Sequence, residues 1–282
     1  MCSRACLRRL GAVVLPIFLL ALSTTLVDRA EPASYLAAGG GRPETMSGHF
    51  TGVVTTFFVD REVVQSWLPS GLRLSSECPF EDHPVIILFG TQRDLAREGA
   101  FTFKPRYTRN GRSFHEAFVG IPYLELVEGS YREPVLHFVR VYLDHPKPAS
   151  QGARRDGWPK ILAAISAGGQ SYQICHEPWG TILRAETDYG DLRSVEAEND
   201  SLRQLQAMFS QPLVLKHEGC FHFSRFDFHF DTATIRAVSS HVEIGEGFLP
   251  RLGPMEIDLP GIDQAEFGAF TLDCRYTRTV WD

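Results

Sequence analysis

The sequence has no positive charge to spare for a phosphate backbone. Lys and Arg number 28 against 34 Asp and Glu, a formal net charge of −6, which argues against nucleic acid as a partner. Neither GxGxxG nor GxxxxGK occurs, and Gly245-Glu246-Gly247 is followed by no helical pattern, so nucleotide cofactors are not indicated. No GxSxG is present, which removes the serine-hydrolase elbow. HExxH and His-x-His are also missing. His217, His222 and His229 do share a region with Glu218 and Asp227. However, the odd step from His222 to His229 puts them on opposite faces of a straight strand. The expectation is ordinary strand polarity, with no metal and no cofactor. None of the six cysteines forms a CxxC pair. Cys2 and Cys6 sit near the N-terminus. Cys78, Cys175, Cys220 and Cys274 are expected to be four buried thiols, with two disulfides conceivable in an exported protein. No repeat of fixed period is found.

What is abundant is apolar and aromatic: 44% of residues are hydrophobic, with 20 Phe, 8 Tyr and 4 Trp. That suits strands around an apolar interior. At the N-terminus, Arg4, Arg8 and Arg9 precede an apolar run from Leu10 to Leu22, and Ala21-Leu22-Ser23 supplies small residues. This is the signal-peptide pattern, or an anchor if it is not cleaved. A start at Met46 is a third reading. The expected organisation is a leader or anchor over 1–30, a Gly-, Ala- and Pro-rich linker over 31–48, and one domain over 49–282. The protein is expected to be secreted or membrane-anchored if the leader is genuine, and otherwise cytoplasmic.

Within the domain, strands are expected at Thr51–Val59, Val85–Phe89, Phe114–Leu126, Val135–Leu143, Ser171–His176, Thr181–Thr187, Phe221–Phe230 and Ala269–Thr279. Asp60 is expected to cap a helix over Arg61–Trp67. Asp200–Phe209 carries Leu202, Leu205 and Phe209 at helical spacing, and Leu162–Ala167 reads as a short helical turn. The alternation of phenylalanines from Phe221 to Phe230 breaks at Ser224-Arg225, which implies a bulge or a change of face. The fold class is mostly β (α+β), an antiparallel barrel or sheet domain with a few short helices.

Lys160 lies in Gly157-Trp158-Pro159-Lys160, before the apolar run Ile161-Leu162-Ala163-Ala164-Ile165. A lysine held in apolar surroundings has a lowered pKa and supplies free amine. A free amine attacks a ketone to give an imine, whose protonated form withdraws electrons from the adjacent bond. From composition alone, though, a lysine after proline is a solvated loop residue. The longer pattern is more specific. Tyr142-Leu143-Asp144, Pro148-Ala149, Gly152, Arg154 or Arg155 and Trp158-Pro159-Lys160 together resemble the acetoacetate decarboxylase signature. Upstream, Phe114-His115-Glu116 with Gly120-Ile121-Pro122 is similar to that family's aromatic-x-Glu strand. Val59-Asp60 through Trp67-Leu68-Pro69 resembles its first strand–helix unit.

The resemblance implies an acetoacetate decarboxylase-like fold, a small oxo-acid substrate, Lys160 as imine-forming lysine and Glu116 as the active-site glutamate, for proton transfer or for orienting the substrate. It also implies assembly into a homo-oligomer. Two departures stand out. Ile161 replaces a second lysine, and the family's N-terminal arginine, which holds the substrate carboxylate, falls near Phe50, in a stretch without basic residues from Thr51 to Asp60. Arg140, Arg154 and Arg155 are the expected replacements, with Trp158 as a further substrate contact. Decarboxylation of a β-keto acid is the first expectation. Aldolase–dehydratase chemistry through the same imine and a non-catalytic small-molecule or lipid-binding barrel are the alternatives.

Overall fold

The computed structural model describes residues 44–98, 113–146, 157–196 and 198–281. The leader, Cys2, Cys6, Arg154 and Arg155 lie outside them. Strands form where β-branched and aromatic residues alternate. Among the described residues they are β1 (Glu44–Val59), β2 (Leu72–Leu74), β3 (His83–Glu98), β4 (Phe114–Leu126), β5 (Val135–Leu143), β6 (Lys160–Leu162), β7 (Ala164–Gly168), β8 (Ser171–His176), β9 (Gly180–Ser194), β10 (Leu213–His217), β11 (Cys220–Phe228), β12 (Thr234–Ile244), β13 (Met255–Leu259) and β14 (Phe270–Trp281). Two helices interrupt them. In α1 (Arg61–Gln65) the Asp60 carboxylate accepts hydrogen bonds from the backbone N–H groups of Glu62 and Val63. In α2 (Asp200–Phe209) Asn199 caps the start, and Leu202, Leu205, Met208 and Phe209 face inward.

The strands β1, β3, β4, β5, β10, β11 and β14 pair in that order, and β14 pairs back onto β1 from Glu44↔Val280 to Val54↔Phe270. These seven strands therefore close on themselves, which removes their free edges. The ladders within this ring are antiparallel except at β5–β10, which is parallel. The remaining path, β12-β9-β8-β7, continues from β14. Period-two alternation sends one face of the ring toward Phe50, Val54, Phe118, Val141, Phe270, Leu272 and the buried side of α2. The opposite face packs Val53, Val119 and Tyr142 against Ile174, Ile182, Val242 and Phe248 of the second half. No helix among the described residues is long and apolar enough to cross a membrane.

Several sequence expectations need correction. Residues 162–167 are not a helical turn: β6 pairs in parallel with β5, and β7 pairs with β8. Residues 44–48, expected in the linker, are already strand, because β14 and β3 supply ladder partners for them. The break at Ser224-Arg225 is a change of face. The β11–β14 register runs unbroken from Phe223↔Trp281 to Phe228↔Tyr276. Phe221 and Phe223 serve one core, and Phe226 and Phe228 the other. Cys78, Cys175, Cys220 and Cys274 are all free thiols, but only Cys78 and Cys274 are buried.

One close approach shapes the ring interior. A Cβ on Gly90 would stand 2.3 Å from the Thr51 carbonyl oxygen and 2.5 Å from the Gly52 Cα, so β1 and β3 cross there with no room for a side chain. Gly90 is the ladder partner of Glu116, which keeps the floor beside that carboxyl free of side chains. Gly90→Ala is expected to cost about 1–3 kcal/mol, the range for overpacking a tight site. The check is the shift in the urea midpoint. Gly168→Ala, where nothing lies within 4 Å of the added Cβ, serves as the near-neutral control.

Candidate active site

Lys160 is positioned by its neighbours in sequence. Gly157 has φ +66°, and a Cβ there would meet His217 Cβ at 2.6 Å and the Lys216 carbonyl oxygen at 2.7 Å. Only glycine lets the chain turn this closely past the end of β10. Trp158 then enters the aromatic interior, 5% exposed. Its ring centroid is 5.7 Å from that of Phe138, 6.2 Å from Phe226 and 6.3 Å from Phe118. The Pro159 carbonyl accepts a 3.0 Å hydrogen bond from Val141 N–H, which docks β6 along β5 with Lys160 opposite Val141.

The register carries Glu116 to the same face. Phe118 pairs with Val141, and Glu116 pairs with Leu143. Two residues along a strand restore the same side of the sheet, so Glu116, Val141, Leu143 and Lys160 all face the ring interior. Lys160 is half-buried, and its Nζ lies 5.1 Å from the Trp158 ring centroid. Glu116 is 4% exposed. Burial drives its pKa from 4.5 up to about 8. The charge of Lys160 and a hydrogen bond from Gln92 pull it back down, and the charge of Asp144 adds to the rise. Carboxyl and amine are thus near enough for the lysine's charge to act on the carboxyl. The Oε1 atom of Glu116 is buried with no hydrogen-bond partner among the described residues. So is Trp158 Nε1.

Three further polar residues in this interior were missing from the sequence reading. Gln92, two residues along β3 from Gly90, is buried and accepts a 3.0 Å hydrogen bond from the Tyr276 hydroxyl. Tyr276 is itself buried, and burial holds its phenol well above the usual range. Arg278, 7% exposed, places its guanidinium carbon 4.7 Å from the Trp158 ring centroid. The run Phe270, Leu272, Cys274 and Tyr276 puts position 278 on the same inward face. A charged residue at the end of an apolar period-two series was the signal available.

Of the expected site residues, the fold brings Lys160, Glu116 and Trp158 together. It does not bring Arg140 to them. Arg140 pairs with Val119, whose side chain belongs to the other core, and it is a hydrogen-bonding neighbour of the Tyr142 hydroxyl on that side. The histidine region holds His217 and His222 with ring centroids 6.0 Å apart. Among the described residues, no group of three or more His, Cys, Asp or Glu is arranged to hold a metal ion.

No protein-family model matches the sequence, and no curated protein matches it significantly. Solved structures do resemble the fold. The enduracididine biosynthesis enzyme MppR, complexed with the condensation product of pyruvate and imidazole 4-carboxaldehyde, superposes with a TM-score of 0.53 at 15% identity, covering 86% of this chain and 88% of that one. An acetoacetate decarboxylase-like enzyme from Sphingomonas wittichii RW1 gives 0.50 at 13% identity over 85% and 91%. Acetoacetate decarboxylase from Legionella pneumophila gives 0.48 at 13% over 86% and 85%. At such identities the likeness speaks for architecture, and the chain has the fold of the acetoacetate decarboxylase-like enzymes.

Proposed function

We propose that the protein is a cofactor-independent lyase that forms a Schiff base between Lys160 and a small oxo acid. The observation that carries this reading is the pairing of Lys160 with a fully buried acid, Glu116, held largely protonated at neutral pH by burial. A protonated carboxyl offers the lysine a proton donor rather than a counter-charge.

The steps balance with these two groups. The amine lone pair attacks the carbonyl carbon, and a nitrogen proton passes to the oxygen. Glu116 then donates its proton to the hydroxyl, water leaves, and the protonated imine and the Glu116 carboxylate remain. In a β-keto acid the imine accepts the electron pair of the bond to the carboxylate. Carbon dioxide departs, the resulting enamine takes a proton from solvent, and water hydrolyses the imine to the ketone. Decarboxylation of this kind is the first reading. The second is aldol condensation and dehydration, in which the Glu116 carboxylate removes a proton beside the imine and the enamine adds to an aldehyde. The complex in which MppR was solved favours this second reading.

The test is borohydride reduction in the presence of a panel of 2-oxo and 3-oxo acids, followed by peptide mass mapping. The expected result is an adduct of the substrate's mass on the peptide that contains Lys160. Absence of any adduct across the panel overturns the reading in favour of a non-catalytic binding barrel. Which acid is turned over, and whether carbon dioxide is evolved, separates the two reactions.

A further inference from the structure

Tyr276 reaches Gln92 across an intervening strand. β1 runs between β14 and β3, with Gly48 opposite Tyr276 on one side and Phe50 opposite Gln92 on the other. A Cβ on Gly48 would stand 2.5 Å from the Tyr276 hydroxyl oxygen, so the missing side chain is what lets the phenol cross β1. Its hydroxyl then donates a 3.0 Å hydrogen bond to Gln92 Oε1. Burial keeps that phenol protonated well above the usual range, so the donor is not lost as pH rises.

The consequence falls on Glu116. Gly90 is the ladder partner of Glu116 and Gln92 that of Phe114. Gln92 and Glu116 are therefore diagonal neighbours on the inward face of β3 and β4, a spacing that long side chains bridge. With its oxygen taken by Tyr276, Gln92 presents its amide nitrogen to the carboxyl, and an amide nitrogen only donates. Glu116 takes that hydrogen bond. Its Oε1 remains buried with no partner among the described residues, so the bond from Gln92 falls on Oε2. In a neutral carboxyl the carbonyl oxygen is the better acceptor, so the proton belongs on Oε1.

We infer that Gln92, oriented by the Tyr276 hydroxyl, is a positioning residue for Glu116: it fixes Oε2 as the carbonyl oxygen of the acid and Oε1 as the oxygen that protonates the departing hydroxyl. Once that proton is delivered, the same amide N–H stabilises the carboxylate left behind. This inference deepens the imine reading and rests on it. Around the carboxyl stand Lys160 from β6, Asp144 just past the end of β5, Tyr172 from β8 and Tyr276 from β14. Arg278 lies further along β14, against Trp158. Replacing Gln92 leaves all of these in place, so a moved Glu116 titration reports the loss of the amide bond.

The experiment has two readouts. Infrared titration of the protonated-carboxyl stretch, assigned by its loss in Glu116→Gln, follows Glu116 in the free protein. Borohydride trapping of pyruvate and acetoacetate gives a maximal rate and a half-saturating concentration. Gln92→Met keeps the side-chain length and loses both hydrogen bonds. Because the amide N–H favours the carboxylate, its removal is expected to move the Glu116 titration to higher pH by roughly one unit. The maximal trapping rate should fall roughly tenfold with little change in half-saturation, since the proton is misplaced but the substrate is still bound. Tyr276→Phe leaves Gln92 free to turn, so a smaller shift in the same direction is expected. The double variant should match Gln92→Met alone, because Tyr276 acts only through Gln92. Tyr276→Phe also decides the matter if Gln92→Met does not fold. A titration that stays in place or moves to lower pH overturns the inference, whatever the loss of rate, and so does a shifted titration with an unchanged trapping rate. Both outcomes leave the imine intact. Failure of the wild-type protein to trap either acid overturns the imine reading and this inference with it.

Discussion

Replacing Lys160 with alanine is expected to abolish borohydride trapping and to lower turnover by roughly 10⁴-fold or more, because the covalent route disappears with the nucleophile. Alanine alone leaves one ambiguity, since it also removes a cation from above the Trp158 ring. Lys160→Arg resolves it. The guanidinium keeps the charge and the stacking but is never a free amine, so trapping and turnover should fall as far as with alanine. Stability should move little in either variant, by about 1 kcal/mol or less, because an exposed to half-buried cation–π contact contributes no more than that. Partial activity in Lys160→Arg would mean that the lysine acts through its charge and that no imine forms. Mass mapping of the reduced adduct, steady-state turnover and a urea titration check the three parts separately.

The visibility of this site in the sequence follows from how local each signal is. Phe114–Leu126 and Val135–Leu143 were legible to the residue, because their apolar density and bounding turns are local properties. Asp200–Phe209 was legible for the same reason, with a capping Asn199 and inward residues at helical spacing. Leu162–Ala167, which spans parts of β6 and β7, was misread as a helical turn because Leu, Ala and Ile suit a helix. Ladder partners remote in sequence, Val141 to Leu143 for the first and Ser171 to Cys175 for the second, override that weak preference. Thr234–Ile244 was missed altogether. Its serines, arginine and histidine blur the alternation, and its strand character comes from pairing with β9, β13 and β14.

The same division runs through the site. Lys160, Glu116 and Trp158 lie within one stretch whose pattern resembles a known family, so they could be found together. Gln92 and Arg278 come from strands far apart in sequence: Gln92 reaches the interior through the β3–β4 ladder, and Arg278 through the pairing of β14 with β11 and β1. Their side of the strand was predictable from period two. Their proximity to Lys160 was not, since it depends on which strands pair.

Glu116→Gln is expected to separate the chemical role of the buried carboxyl from its structural one. The amide matches the carboxyl in shape and still bonds Gln92, but it has no proton to deliver to the departing hydroxyl. Turnover should therefore fall by roughly 10²–10⁴-fold, the usual range for a positioned acid–base group. The wild-type pH profile should show activity on the acid side of the Glu116 titration and lose it as pH rises through about 8, where Glu116 gives up its proton. The sign of the stability effect is opposite to that of an ordinary surface carboxylate. The folded state holds the Glu116 proton up to about 8, whereas a carboxyl of ordinary pKa 4.5 has already released it. The contribution of this group is therefore fully present below 4.5 and lost as pH climbs toward 8, at about 1.4 kcal/mol per pH unit for one proton. Lys160 moderates this slope, because its charge favours the carboxylate. Glu116→Gln removes the titration, so its melting temperature should vary less between pH 5 and 9 and exceed that of wild type at the alkaline end. A variant that loses activity but keeps the wild-type pH dependence of melting would place the titrating group elsewhere. One that flattens the melting curve without slowing turnover would leave Glu116 a buried acid with no part in the chemistry.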